Sequence, residues 1–194
     1  MEKQEKFQEM RRQMLAQGYK EKNVTFSSGK IMAMGLIAAL LPVIILGMIY
    51  RFFLIDRAHL TDVGGLSFYI MFVIIIAVTA VVHELLHGIG WALAGGKGWS
   101  VIKFNIHALM PSCACVTVLT KSQYLTGALL PLLVLGTGSI LFIFVYPGTI
   151  AILVMAANFV GAGADIIIAA HIIMEPADFI LDHPRQAGYV AFVR

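Results

Sequence analysis

The chain has 194 residues, of which 59% are hydrophobic and only 13% charged, with a mean hydropathy of +0.86 and a net charge of +3. Soluble domains carry about 25% charged residues, so the composition excludes an ordinary soluble domain and points to a single membrane-embedded unit. The charge is modest and forms no basic block interleaved with aromatics, which excludes nucleic acid as a partner. The two cysteines, Cys113 and Cys115, are too close to staple a fold. Two small residues packed in a loop is their simplest reading.

Residues 1–30 are charged. Phe7, Met10, Met14 and Leu15 recur there at helical spacing, and Gly18 stands where a helix stops. This predicts an amphipathic helix lying on a membrane surface. No cleavable signal peptide is expected, because the first apolar run is long enough to span. That run, 31–50, is bracketed by Lys30 and Arg51, contains Pro42, and has the ~20 residues that cross a bilayer. After a polar stretch, 66–94 is the second expected span. It carries His83, Glu84 and His87 in its last third.

Residues 95–124 form the one substantial loop. Ile102-Lys103-Phe104-Asn105-Ile106-His107 alternates apolar with polar residues, Pro111-Ser112 marks a turn, and 113–119 is short and β-branched. A small β-hairpin is predicted. The third and fourth spans are expected at 124–146 and 149–174, separated by Pro147-Gly148, with Pro176 beyond the last. Residues 177–194 read as a short polar tail. The expected fold class is thus an all-α membrane protein with four transmembrane helices, an N-terminal amphipathic helix and one hairpin. The membrane domain is 31–176.

Lysine and arginine set the orientation. Lys3, Lys6, Arg11, Arg12, Lys20, Lys22 and Lys30 precede the first span. Lys97, Lys103 and Lys121 lie in or beside the hairpin loop, and Arg185 and Arg194 in the tail. Only Arg51 and Arg57 fall on the other side. A multi-pass cell-membrane protein with both termini and the hairpin cytoplasmic is predicted.

Ionisable groups inside spans are costly and mark function by default. There are five: His83, Glu84, His87, Asp165 and His171. His83 and His87 stand four apart, on one helix face, where two imidazoles can meet one Zn²⁺. Glu84 is turned aside by about 100°, placing its carboxylate near the water such a metal activates. His83-Glu84-Leu85-Leu86-His87 is the zincin pattern, with glutamate as general base and one zinc ion per chain.

Zinc needs a third protein ligand. His83 lies roughly 25 Å and Asp165 roughly 24 Å into their antiparallel spans at 1.5 Å per residue, so Asp165 is the favoured candidate. His171 is about 9 Å nearer the cytoplasm. It and His107 are the rivals. Asn158, seven residues before Asp165, falls on the same face of a continuous helix and is a candidate for substrate or oxyanion contact. Its bland reading is an interhelical hydrogen bond. The small residues Gly161-Ala162-Gly163-Ala164 are expected to let the fourth span press against the second. Lys103, Asn105 and His107, on the polar face of the hairpin, are candidates to pair with an extended substrate strand.

The His83–His87 motif near a span end, the hairpin loop, and the later span with Asn158 and Asp165 resemble the site-two-protease-like membrane zinc metalloproteases. Size and the Gly-Ala-Gly-Ala-Asp context resemble a family of integral-membrane zincin peptidases more closely. The resemblance implies a zinc-dependent peptidase acting on membrane proteins or peptides, with His83, His87 and Asp165 as ligands and Glu84 as base. It covers roughly residues 30–176. The aspartate here sits in Ala164-Asp165-Ile166, where the broader clan has Leu-Asp-Gly, often with prolines before it. A non-proteolytic metal-binding membrane protein and a small proton or ion transporter subunit are the alternatives.

Overall fold

The structure, a computed structural model, describes residues 2–57, 65–107 and 110–194. Helix α1 (Glu2–Ala16) ends at Gly18, whose φ of 86° is cheap only for glycine. Strand β1 (Lys20–Phe26) follows, then α2 (Ser28–Ile49). Helix α2 runs through Pro42 and continues as a π turn (Tyr50–Leu54) and a 3₁₀ turn (Ile55–Arg57). Helix α3 (Leu66–Ala94) carries the zincin motif. Strands β2 (Ile102–His107) and β3 (Met110–Cys115) pair antiparallel, with Phe104 opposite Cys113 and Asn105 opposite Ser112. This is the expected hairpin.

A short strand β4 (Leu119–Thr120) leads directly into α4 (Lys121–Pro131). The start of α4 is a capping box. The Thr120 hydroxyl accepts the Gln123 N–H (3.4 Å), and the Gln123 side chain accepts the Thr120 N–H (2.9 Å). A π turn (Leu132–Gly136) carries the chain into α5 (Thr137–Val145). Helices α6 (Thr149–Gly161) and α7 (Gly163–Met174) follow, then β5 (Phe179–Asp182) and β6 (Ala187–Val193).

The segments Ser28–Arg57, Leu66–Ala94 and Lys121–Val145 are long and apolar enough to cross a membrane. The α6–α7 pair, bent by 40°, makes a fourth if it counts as one span. Their outer faces expose Leu36, Ile37, Leu41, Ile70, Val73 and Leu141. In water, so broad an apolar surface would drive association.

The chain is mostly helical but not all-α. Beyond the hairpin, the two ends of the chain meet in a four-stranded antiparallel sheet of order β1-β6-β5-β4. Residues 177–194 are therefore not a polar tail. Residues 187–193, Ala-Gly-Tyr-Val-Ala-Phe-Val, form its buried central strand. Period-2 alternation gives this strand two apolar faces. Tyr189 and Ala191 pack with Ile180 against Trp91, Tyr124 and Ile172, on the helical bundle. Val190 and Phe192 pack with Leu181 against Phe7 and Met14 of α1.

The amphipathic helix is thus present, but its apolar face is covered by protein instead of facing lipid headgroups. Arg11 reinforces the contact by a two-pronged pairing with Glu21 of β1. Truncating Phe7 to alanine is expected to weaken this docking by roughly 3 kcal/mol. Limited proteolysis should then cut residues 1–17 early while the bundle stays intact. Unchanged protection would show that α1 is held otherwise.

Two lysines, one in β1 and one at the start of α4, hold the end of α7. Lys22 Nζ pairs with the buried Glu175 carboxylate (2.7 Å), and Lys121 Nζ donates to the carbonyls of Ile173 and Glu175 (both 2.8 Å). A cation at the terminal carbonyls also suits the negative end of the helix dipole.

Candidate metal centre

Three side chains from two separate helices converge. His83 Nε2 lies 3.0 Å from Asp165 Oδ2, His87 Nε2 lies 3.1 Å from His83 Nε2, and His87 Nε2 lies 3.5 Å from Asp165 Oδ1. Four-residue spacing on α3 brings the two imidazoles together, as the sequence predicts.

Asp165 arrives by a route the sequence does not show. The fourth apolar segment breaks at Ala162, and Asp165 lies in the first turn of α7. The positive end of that helix dipole favours its carboxylate.

Close packing accompanies the break. A Cβ on Gly163 would stand 2.4 Å from the Gly35 carbonyl oxygen, and one on Gly35 would stand 2.7 Å from the Gly163 carbonyl carbon. Backbone touches backbone there. The small residues do bring helices together, but the partner of Gly163 is α2 of the first span, not the second. Gly161, two residues earlier, meets nothing within 4 Å.

His87 is locked from two sides. Its Nδ1 donates to the Gly127 carbonyl (2.9 Å), which turns Nε2 to the cluster as the nitrogen available to a metal. The Trp91 ring stacks on it, with centroids 5.2 Å apart and planes 13° apart. That approach of α3 to α4 requires glycine. A Cβ on Gly90 would lie 2.6 Å from Gly127 Cα, and one on Gly127 would lie 2.1 Å from Trp91 Cδ1. Trp91 was open to recognition by its four-residue spacing from His87. The Gly127 carbonyl was not, since no local pattern marks it.

Glu84 points elsewhere, to the hairpin. Its Oε2 accepts the backbone N–H of Cys113 (2.5 Å). That N–H is therefore not spent on β2, and the free edge of β3 faces the site. The hairpin reaches this position because Gly88 leaves room: a Cβ there would be 2.9 Å from Phe104 Cζ and 3.0 Å from Trp99 Cζ3.

Glu84, His87 and Asp165 line one cavity of about 700 Å³. It is also lined by Asn105, by β3, by Tyr124, and by Asp182 with the β5–β6 turn. Asn105 is thus at the site, contributed by β2, while the strand edge that faces it belongs to β3. The His107 side chain lies outside the described residues. Asn158 is not brought to the cavity. Its carbonyl closes the last turn of α6 (3.0 Å to the Ala162 N–H), and the break after it resets the helix face on which it was expected to align with Asp165. His171 packs edge-on against Phe26 (5.0 Å), away from the cluster.

Burial pushes the Cys115 thiol up to about 12, and the Cys113 thiol higher still, with nearby carboxylates adding to both. Neither is a thiolate at neutral pH, so neither is a ready metal ligand or nucleophile. Alkylation by iodoacetamide at pH 8 is expected to spare the buried Cys115 until the protein is denatured. Rapid labelling of both cysteines in the folded state would contradict this burial.

The three donors fit zinc. Bonds of 2.0–2.1 Å to a tetrahedral ion require ligand atoms about 3.4 Å apart, close to the 3.0–3.5 Å found. The donor atoms all lie within 4.8 Å of one another. Two imidazoles and one carboxylate also leave a fourth position, as zinc sites that perform chemistry do.

Two histidines one turn apart, a glutamate after the first, and an acidic residue from a second helix define a zincin-type centre. The chain belongs to the family described as Putative zincin peptidase, which residues 76–180 match, just over half of the sequence. That stretch contains the motif, the hairpin and Asp165. The match supports the zincin part of the resemblance and does not single out the site-two proteases. No curated protein and no solved structure matches the chain.

Proposed function

We propose that this protein is a membrane-embedded, zinc-dependent endopeptidase that hydrolyses membrane or juxtamembrane segments of proteins. The observation that carries this reading is the convergence of His83, His87 and Asp165 in one cluster, beside a cavity that Glu84, His87 and Asp165 line. His83, His87 and Asp165 would hold the ion, one per chain. Zinc, when bound, supplies Lewis acidity that makes water acidic near neutral pH and polarises a carbonyl.

The chain's own residues do the rest. Glu84 takes a proton from the attacking water and returns it to the departing amine. The Cys113 N–H holds the Glu84 carboxylate in place meanwhile. Gly127 and Trp91 fix His87 so that its Nε2 is turned to His83 and Asp165, where it would hold the ion. The free edge of β3 offers backbone groups to an extended substrate, with Asn105 beside it.

The sheet supports four spans with both termini cytoplasmic. It gathers the start of α2, the start of α4 and the end of α7 at one end of the bundle. Only an even passage between these points returns the chain to one side, and the positive-inside charge count names that side. The fourth span bends at Ala162, three residues before Asp165, even without a proline. A transporter would distribute polar groups along a path. Here His83, Glu84, His87 and Asp165 gather at one place instead.

The test is cleavage of a membrane-spanning peptide by purified protein in detergent. We expect cleavage to stop with 1,10-phenanthroline and to return with added zinc. Cleavage indifferent to the chelator would overturn the reading.

A further inference from the structure

The β5–β6 turn, His183-Pro184-Arg185-Gln186, lines the same cavity as Glu84 and Asp165, yet nothing in the mechanism uses it. It is a built turn. His183 Nδ1 accepts the backbone N–H groups of Arg185 (3.3 Å) and Gln186 (3.0 Å), and the His183 N–H is tied to the Gly188 carbonyl (3.1 Å). Pro184 fixes its own φ. The Phe7 ring of α1 supports the His183 ring edge-on from behind (5.8 Å).

The charges of the cavity are unequally matched. Glu84 is engaged by the Cys113 N–H, Asp165 by the two histidines, and Asp182 by the Tyr124 hydroxyl, which donates to it at 3.1 Å. Arg185 is the one lysine or arginine among the described lining residues. Its backbone is held and its side chain is exposed. Among the described residues its guanidinium has no hydrogen-bond or ion-pair partner. A guanidinium offers five donors in a planar fork that matches a carboxylate.

We propose that Arg185 determines specificity by pairing with a carboxylate of the substrate. This rests on the peptidase reading above. An extended peptide advances ~3.4 Å per residue, so a cavity of this size holds only a few residues. The carboxylate therefore lies within a few residues of the bond that is cut. It is either an acidic side chain or the C-terminus of the substrate.

Labelled peptides carrying one aspartate at successive positions, each with a free or an amidated C-terminus, distinguish the two sources. Binding is read by fluorescence anisotropy on Glu84→Gln protein, so that recognition is separated from turnover. One carboxylate should strengthen binding about tenfold, as expected for a charge-assisted pair. Loss on amidation identifies the C-terminus, and dependence on aspartate position identifies a side chain. Adding Arg185→Gln should abolish the preference, and Arg185→Glu should transfer it to peptides with lysine in place of aspartate.

Equal or absent binding of all the peptides, or a preference that survives Arg185→Gln, overturns the proposal. So does an Arg185→Gln effect confined to binding of anionic-lipid vesicles. Carboxylate-dependent binding without cleavage by the Glu84 protein would defeat the peptidase reading alone. Cleavage without carboxylate preference would defeat only the role of Arg185.

Discussion

Replacing Glu84 by glutamine is expected to lower peptide cleavage by about 10²–10⁴-fold while leaving zinc content unchanged. The substitution removes the proposed proton acceptor and little else. Glutamine keeps a side-chain oxygen that can still accept the Cys113 N–H, so the hairpin should stay docked on α3. The donor set of His83, His87 and Asp165 does not include Glu84. Activity and metal content should therefore separate in this variant, measured by peptide cleavage and by elemental analysis of the same preparation. Loss of zinc along with activity would make Glu84 a structural or ligating residue. Retained activity would remove it from the chemistry.

The second large effect concerns a residue that touches no ligand. Gly163→Ala should destabilise the protein by roughly 3 kcal/mol and sharply weaken zinc retention, because the added methyl meets rigid backbone and not a side chain that can move. The clash is with the Gly35 carbonyl oxygen at 2.4 Å. Relief requires α7 to shift away from α2, and Asp165, two residues on, shifts with it.

Gly161→Ala is the matched control. It lies on the same small-residue run, is exposed, and has nothing within 4 Å of the added methyl. It should leave thermal stability and zinc content near those of the wild type. Similar behaviour of the two variants would mean that the small residues do not position the ligand helix.

The pairing of His83 with His87 on α3 was legible because it is local. Four-residue spacing on a helix fixes the relation of His83 to His87 without knowledge of the rest of the fold. Depth along antiparallel spans was enough to bring Asp165 to the same level. The helical periodicity that put Asn158 on the face of Asp165 assumed an unbroken helix, and the chain breaks at Ala162, next to the non-local contact of Gly163 with Gly35.

The terminal sheet was hidden for a different reason. Strand β1, Lys-Glu-Lys-Asn-Val-Thr-Phe, is too polar to read as a strand, and its pairing partner β6 lies more than 160 residues away. The β6 run of aromatic, small and β-branched residues was the available signal. It was masked by its place at the chain end, where a tail is the ordinary expectation. The same omission concealed Asp182 and the β5–β6 turn, which only the sheet brings over the site.

The most direct test of the account is the zinc content of the protein purified in detergent, compared with His83→Ala, His87→Ala and Asp165→Ala. Close to one zinc per folded wild-type chain is expected, with loss of most of it in each of the three variants and His171→Ala unaffected. A wild type with no more zinc than the variants, or an Asp165→Ala protein that keeps its zinc while His171→Ala loses it, would contradict the centre described here.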